Sequence, residues 1–253
     1  MKKPVTILFL VLAFAMTAFA KEPQFEKATN VLNEIMETPD RGIPHDLLDK
    51  AVCVGIVPSE LKGAFVFGGT YGRGVLVCRR HGDGPWGAPS KFTMGGGSFG
   101  FQIGGEATDV VFLVMNNAGA RKFVQDDVKL GADASVTAGP VGRTAEAATD
   151  AQLHAEILSY SRTRGLFAGV SLAGAVVKQD RGQNRRLYGH DISAKRILFD
   201  GVRVPPQAAA LHAALERYSP SSPWWKWLFW WWPEMRCLRA GKAKRIAAGT
   251  RDT

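Results

Sequence analysis

Two residue patterns in the 253-residue chain invite a catalytic reading, and both fail on spacing. Gly95, Gly97 and Gly100 spell G-x-G-x-x-G, the arrangement with which a strand-to-helix turn offers backbone amides to a pyrophosphate. That use requires a helix to start there, yet Phe99, Phe101 and Ile103 alternate at strand spacing. The position about twenty residues on, where an acid should meet the ribose, holds Arg121. The five histidines, His45, His81, His154, His190 and His212, form no H-E-x-x-H pair and stand near no cysteine pair, so no metal centre is indicated. No G-x-S-x-G elbow is present either. The chain reads as non-catalytic, with no cofactor and no metal.

A different chemistry is concentrated near the C-terminus. The segment PWWKWLFWWWP, residues 223 to 233, carries Trp224, Trp225, Trp227, Trp230, Trp231 and Trp232, six of the seven tryptophans. Between Trp224 and Trp232 only Lys226 is polar, so neither helical nor strand periodicity gives the segment a polar face. It is far too short to cross a bilayer. Tryptophan has an apolar body and an N–H that seeks a partner, which favours the headgroup boundary of membranes. Arg236, Arg239, Lys242, Lys244 and Arg245 follow and suit anionic headgroups. Folding back onto the body, or binding a protein partner, are the alternatives.

Charge follows the same division. The chain is +9 overall. From 221 to 253 seven basic residues face two acidic ones, a net of +5, and Lys2 and Lys3 take two more charges. Only +2 is left for 21 to 220, which argues against a nucleic-acid platform. The first twenty residues, two lysines followed by an apolar run and Ala18-Phe19-Ala20, read as a secretory signal peptide, 1–20. An exported protein of the bacterial envelope, periplasmic or membrane-associated, is expected. Cys53 and Cys78 lie in apolar β-rich runs and either pair or stay as buried thiols; Cys237 is in the tail.

The body between these ends, 21–220, must position whatever binds. Phe25, Ala28, Leu32, Ile35 and Met36 fall at helical spacing and predict an amphipathic helix to Glu37, followed by a short one in PHDLLDKA. AVCVGIVP, GAFVFGG, RGVLVCRR, SFGFQIGGE and DVVFLVM read as glycine-punctuated strands, with turns at HGDGPWG and NNAGA and a short helix in AGARKFVQD. LHAEILSYSR and GLFAGVSLAGAVV read as two more strands about a turn at Thr163 to Gly165. QNRRLYG, SAKRIL and PPQAAALHAALERY are helical pieces, and SPSSP is a linker before the tail, 221–253. The fold class is α+β: a compact glycine-rich, mostly antiparallel β-sheet domain with flanking helices.

The segments LLDKAVCVGIVPSELKGAFVFGGTYGRGVLVCRR, WGAPSKFTMGGGSFGFQIGGEATDVVFLVMN, FVQDDVKLGADASVTAGPVGR, SYSRTRGLFAGVSLAGAVV and YGHDISAKRIL resemble, in order and spacing, the SYLF domain family over about residues 25 to 218. The resemblance implies a non-enzymatic module that binds phospholipid headgroups, with phosphoinositides and actin filaments as ligands of eukaryotic relatives. It also implies that the helix from Phe25 to Glu37 is a membrane helix. Here that helix holds only Lys27, with Lys21 before it, against Glu22, Glu26, Glu34 and Glu37, a departure from the basic helix of the family.

Family motifs are also matched at Gly139 to Arg143, Tyr160 to Arg162, and Gly165 to Phe167. Arg143, Arg162 and Arg164, if convergent, suit a phosphate through charge-assisted hydrogen bonds; solvated surface charges, or pairing with Asp109, Asp133 and Glu156, are the other readings. The expected function is that of an exported peripheral protein that docks on anionic phospholipid membranes. The alternative is an envelope structural protein whose tail meets a protein partner or folds back on the domain.

Overall fold

The structure, a computed structural model, describes residues 22–38, 42–64, 68–98, 104–125, 127–141, 155–163 and 166–221. These lie almost wholly in one unit, Met1–Pro220. The six tryptophans from Trp224 to Trp232, with Lys226, Arg236 and Arg239, fall outside the described residues, as do Arg143 and Arg164 and the N-terminal segment read as a signal peptide.

The apolar runs of the sequence become strands buried on both faces. β1 (Cys53–Ala64), β2 (Gly68–Cys78), β3 (Ser90–Ser98), β4 (Gly104–Val114), β5 (Asp127–Lys129), β6 (Val136–Ala138), β7 (Ile157–Thr163), β8 (Leu166–Gly169) and β9 (Val176–Gln179) form one sheet. Its order is β5-β9-β3-β2-β1-β4-β7-β6, with β8 also on β7. Every pairing is antiparallel except β6 with β7. The β1–β2 hairpin is therefore nested between β3 and β4.

Period-two alternation sorts side chains to two cores. Val54, Ile56, Val75, Val77, Val111 and Leu113 point to one face, where α1 (Pro23–Glu37), α2 (His45–Lys50) and α6 (Ala209–Tyr218) cover them. Cys53, Val57, Leu76, Cys78, Val110, Phe112 and Val114 point to the other, under α3 (Asn117–Lys122) and α5 (Ala194–Phe199). With both faces covered, the strands need no polar positions, which is why they read as continuous apolar runs. Cys53 and Cys78 stand opposite each other in β1 and β2 and are joined by a disulfide, which resolves the open pairing.

The glycines serve close approach. Gly55 faces Phe112 across β1 and β4, and Gly74 faces Phe92 across β2 and β3; each ring lies over the glycine where a Cβ would otherwise sit. Gly105, Gly63, Gly69 and Gly97 also stand in one row across β4, β1, β2 and β3.

Some segmentation differs from the sequence reading. GLFAGVSLAGAVV is two strands, not one: β8 stays on β7, whereas β9 crosses to β3 after a turn with Gly174 at φ +89°. SFGFQIGGE spans the end of β3 and the start of β4, and GAFVFGG the end of β1 and the start of β2. NNAGA is not a free turn. Asn116 accepts a hydrogen bond from the Gly119 amide at 2.7 Å and caps α3, which begins at Asn117.

Candidate functional site

α1 forms because Pro23 occupies its first turn and Phe25, Ala28, Val31, Leu32, Ile35 and Met36 recur on one face, all buried. Its start is fixed to the sheet by polar contacts. Gln24 donates to the Gly74 carbonyl at 3.2 Å. Lys91 of β3, only 2% exposed, is ion-paired with Glu22 and lies 5.4 Å from the centre of the Phe25 ring. A buried ammonium persists only with such a partner.

β2 carries two features on the face that α1 covers. Val75 and Val77 lie in the core with α1, while Tyr71 and Arg73, earlier in the same alternation, are exposed. Gly72 and Gly74 turn to the opposite face. Past the helix start, the sheet face and the helix end border a groove of about 390 Å³. Glu22, Pro23, Gln24 and Lys27 contribute from the helix side, Pro58 from β1, Tyr71, Gly72 and Arg73 from β2. Gln183 contributes from α4 (Arg181–Tyr188).

Tyr71 is half exposed and is the large hydrophobic side chain that stands out to solvent among the described residues. Arg73 Nε donates to its hydroxyl at 3.3 Å. That contact is the largest cause holding the Arg73 pKa above its ordinary value. Glu22 is neutralised by Lys91, so Lys27 and Arg73 set the sign of the groove, which is otherwise largely apolar. Two cations beside an aromatic ring with a polar tip suit an anionic group carried on an apolar body.

Of the residues singled out in the sequence, Lys27 lines this groove. Arg162 does not: its Nε donates to Asp109 at 2.7 Å, a second nitrogen lies 2.5 Å from the same oxygen, and it is also ion-paired with Glu34 of α1. It is thus engaged by two carboxylates and braces β4 and β7 against the helix. Glu156 takes Lys122 rather than an arginine, at 2.8 and 2.7 Å. Asp133 accepts from the Lys129 amide. Tyr71 and Arg73 were missed in the sequence reading. Their signal is the alternation in YGRG, where Gly72 and Gly74 take one face and leave Tyr71 and Arg73 on the other.

Among the described residues no group of three or more His, Cys, Asp or Glu side chains is disposed to hold a metal. No described helix is long and apolar enough to cross a membrane.

Residues 95–218 match the family model Ysc84, described as "Las17-binding protein actin regulator". "LAS seventeen-binding protein 3" of Saccharomyces cerevisiae is 40% identical over 190 residues, 72% of this chain and 41% of that protein. "Protein YSC84" of the same yeast is 39% identical over 199 residues, 76% of this chain and 42% of its own length. "SH3 domain-containing YSC84-like protein 1" of Homo sapiens is 34% identical over 200 residues, 77% of this chain and 58% of that protein. The match thus spans about half the length of these relatives or somewhat less or more. The descriptions speak of binding and regulation. On these matches, the domain of this chain belongs to the Ysc84, or SYLF, family.

Proposed function

We propose that this protein is a non-catalytic peripheral lipid-binding protein, exported to the bacterial envelope, that docks on anionic phospholipid through the groove at the start of α1. The observation that carries the reading is the convergence of Lys27, Arg73 and the exposed Tyr71 on one largely apolar groove. Arg73 supplies a planar donor fork for a phosphate, Lys27 a mobile point charge, and Tyr71 an amphipathic ring for the headgroup boundary. The Trp-rich segment and the basic residues after it, Trp224 to Arg239, act as a second anchor by composition.

The test is flotation of the full chain with phosphatidylcholine vesicles, with and without phosphatidylglycerol, beside Lys27→Gln/Arg73→Gln and a chain ending at Pro220. Loss of anionic binding in the double variant supports the groove. Equal binding by wild type and double variant sinks it. A chain ending at Pro220 that no longer floats assigns the anchor to the tail instead.

A second reading rests on the relatives' names. A "LAS seventeen-binding" protein is by that name a partner-binding protein, and an envelope protein partner is the function to pursue if no vesicle is bound.

A further inference from the structure

Beyond the groove, a second cationic surface is built along the α4–α5 edge. Ala88, Ile192 and Ile197 form a small apolar cluster of their own, joined by Tyr188 and Val202. This cluster gathers the end of α4, the link to α5, α5 itself and the chain after it. Five cations of this stretch are turned outward: Arg185 and Arg186 on α4, Lys195 and Arg196 on α5, and Arg203 beside Val202 are all exposed. No ion pair engages any of the five among the described residues. Asp191 and Asp200 are the exposed carboxylates of the same stretch, so five positive charges face two negative ones.

Local structure accounts for only part of this. Arg185, Arg186 and Arg196 lie in last turns, where the helix dipole favours cations. Lys195 in the first turn of α5 and Arg203 outside any helix have no such reason to be basic. The inward contacts of α4 are made by other groups. Asn184 is buried and bonds the Lys91 amide and carbonyl at 2.7 and 3.1 Å, and Tyr188 donates to the Pro89 carbonyl at 2.6 Å. The arginines are thus spare for an external anion.

We infer that the α4–α5 edge, through Arg185, Arg186, Lys195, Arg196 and Arg203, is a second contact with an anionic bilayer, beside the groove and resting on the same membrane reading. Three observations favour a bilayer over other polyanions. The edge is continuous with the groove, because Gln183 lines the groove and Arg186, three residues on, is its neighbour on the helix surface. Among the described residues the edge offers no exposed aromatic platform, since the exposed large aromatic is Tyr71 in the groove, whereas single-stranded nucleic acid is held by stacking. Among the described residues it also has no large exposed apolar side chain to form the centre of a protein interface. Dispersed charge of one sign is what a headgroup surface selects.

The experiment compares the full chain with Arg185→Gln/Arg186→Gln/Lys195→Gln/Arg196→Gln, with the groove variant Lys27→Gln/Arg73→Gln, and with Arg185→Lys/Arg186→Lys/Arg196→Lys. Vesicle partition is measured on phosphatidylcholine with and without phosphatidylglycerol at low and high salt, and thermal melting checks that each variant is folded. The expected result is an edge variant that melts like wild type, loses on the order of tenfold or more in partition to anionic vesicles at low salt, and is unchanged on neutral ones. The lysine variant retains binding. An edge variant that partitions like wild type while the groove variant falls overturns the edge and leaves the groove standing. A folded wild type that ignores all vesicles overturns both, and so does a wild type that binds duplex DNA in their place.

Discussion

The Arg79 guanidinium lies 4.1 Å from the centre of the Trp86 ring, and both residues are closed off from solvent. Arg79 donates to the carbonyls of Ala51 at 3.3 Å, Gly84 at 3.1 Å and Ser219 at 3.0 Å, and to the Ser219 hydroxyl at 2.5 Å. The Trp86 indole donates to the same Ser219 carbonyl at 2.9 Å. Burial lowers the Arg79 pKa, while Glu216, Asp49 and Asp83 push it back up. Replacing Arg79 by Met strands several buried carbonyls, so a loss of about 3 kcal/mol is expected in denaturant unfolding. A change below about 0.5 kcal/mol means that water replaces the guanidinium at little cost.

Opening the Cys53–Cys78 disulfide frees a loop of 25 residues' separation. Cys53→Ala/Cys78→Ala is expected to lose roughly 3 kcal/mol, with the native fold retained. Equal denaturation midpoints for the wild type with and without reductant contradict this.

Gly55→Ala and Gly74→Ala each drive a methyl into a phenyl ring, of Phe112 and Phe92 respectively. Each is expected to cost about 1–3 kcal/mol. Pairing Gly55→Ala with Phe112→Leu should recover part of that loss. Strict additivity of the two changes argues against ring contact as the cause.

Acid should loosen the α3–β7 corner. Burial opposes ionisation of Glu156, but the bonds from Lys122 and from the Ser135 amide outweigh it and hold the pKa below the ordinary glutamate value. A depressed folded-state pKa stabilises above the unfolded value of about 4.3 and is lost as pH falls through the folded one. The melting temperature of wild type should therefore fall more steeply below about pH 4.3 than that of Glu156→Gln. Parallel curves remove Glu156 from the acid response.

Arg162 is expected to act on stability rather than on lipid. In a double-mutant cycle, Arg162→Ala and Asp109→Ala should couple by about 1 kcal/mol or more, and Glu34→Gln by less, because Glu34 is half exposed. Vesicle partition of a folded Arg162→Ala that drops as far as that of the groove variant places Arg162 in binding after all.

Much of the architecture was legible because local signals agreed with one another. α1 showed its period in Phe25, Ala28, Leu32, Ile35 and Met36, and the paired prolines marked the 3-10 turn Pro206–Ala208 that leads into α6. The strand order was not legible, since β9 pairs β3 and β4 pairs β1 through contacts distant in sequence. Nothing in the sequence sets Arg79 and Lys91 apart, because a buried cation is recognisable only from partners such as Ser219 and Glu22 that the fold brings in. The groove was half legible: Lys27 stood out on the helix, whereas Tyr71 and Arg73 depend on where α1 stops covering β2.

The Ser219 carbonyl is held by Arg79 and by Trp86, and its hydroxyl bonds Asp49. A pull on the chain beyond Pro220 therefore does not peel α6 away turn by turn from its end. The load passes at Ser219 into the hairpin corner and the disulfide-tied strands behind it, so force applied at Pro220 reaches the sheet before it reaches α6.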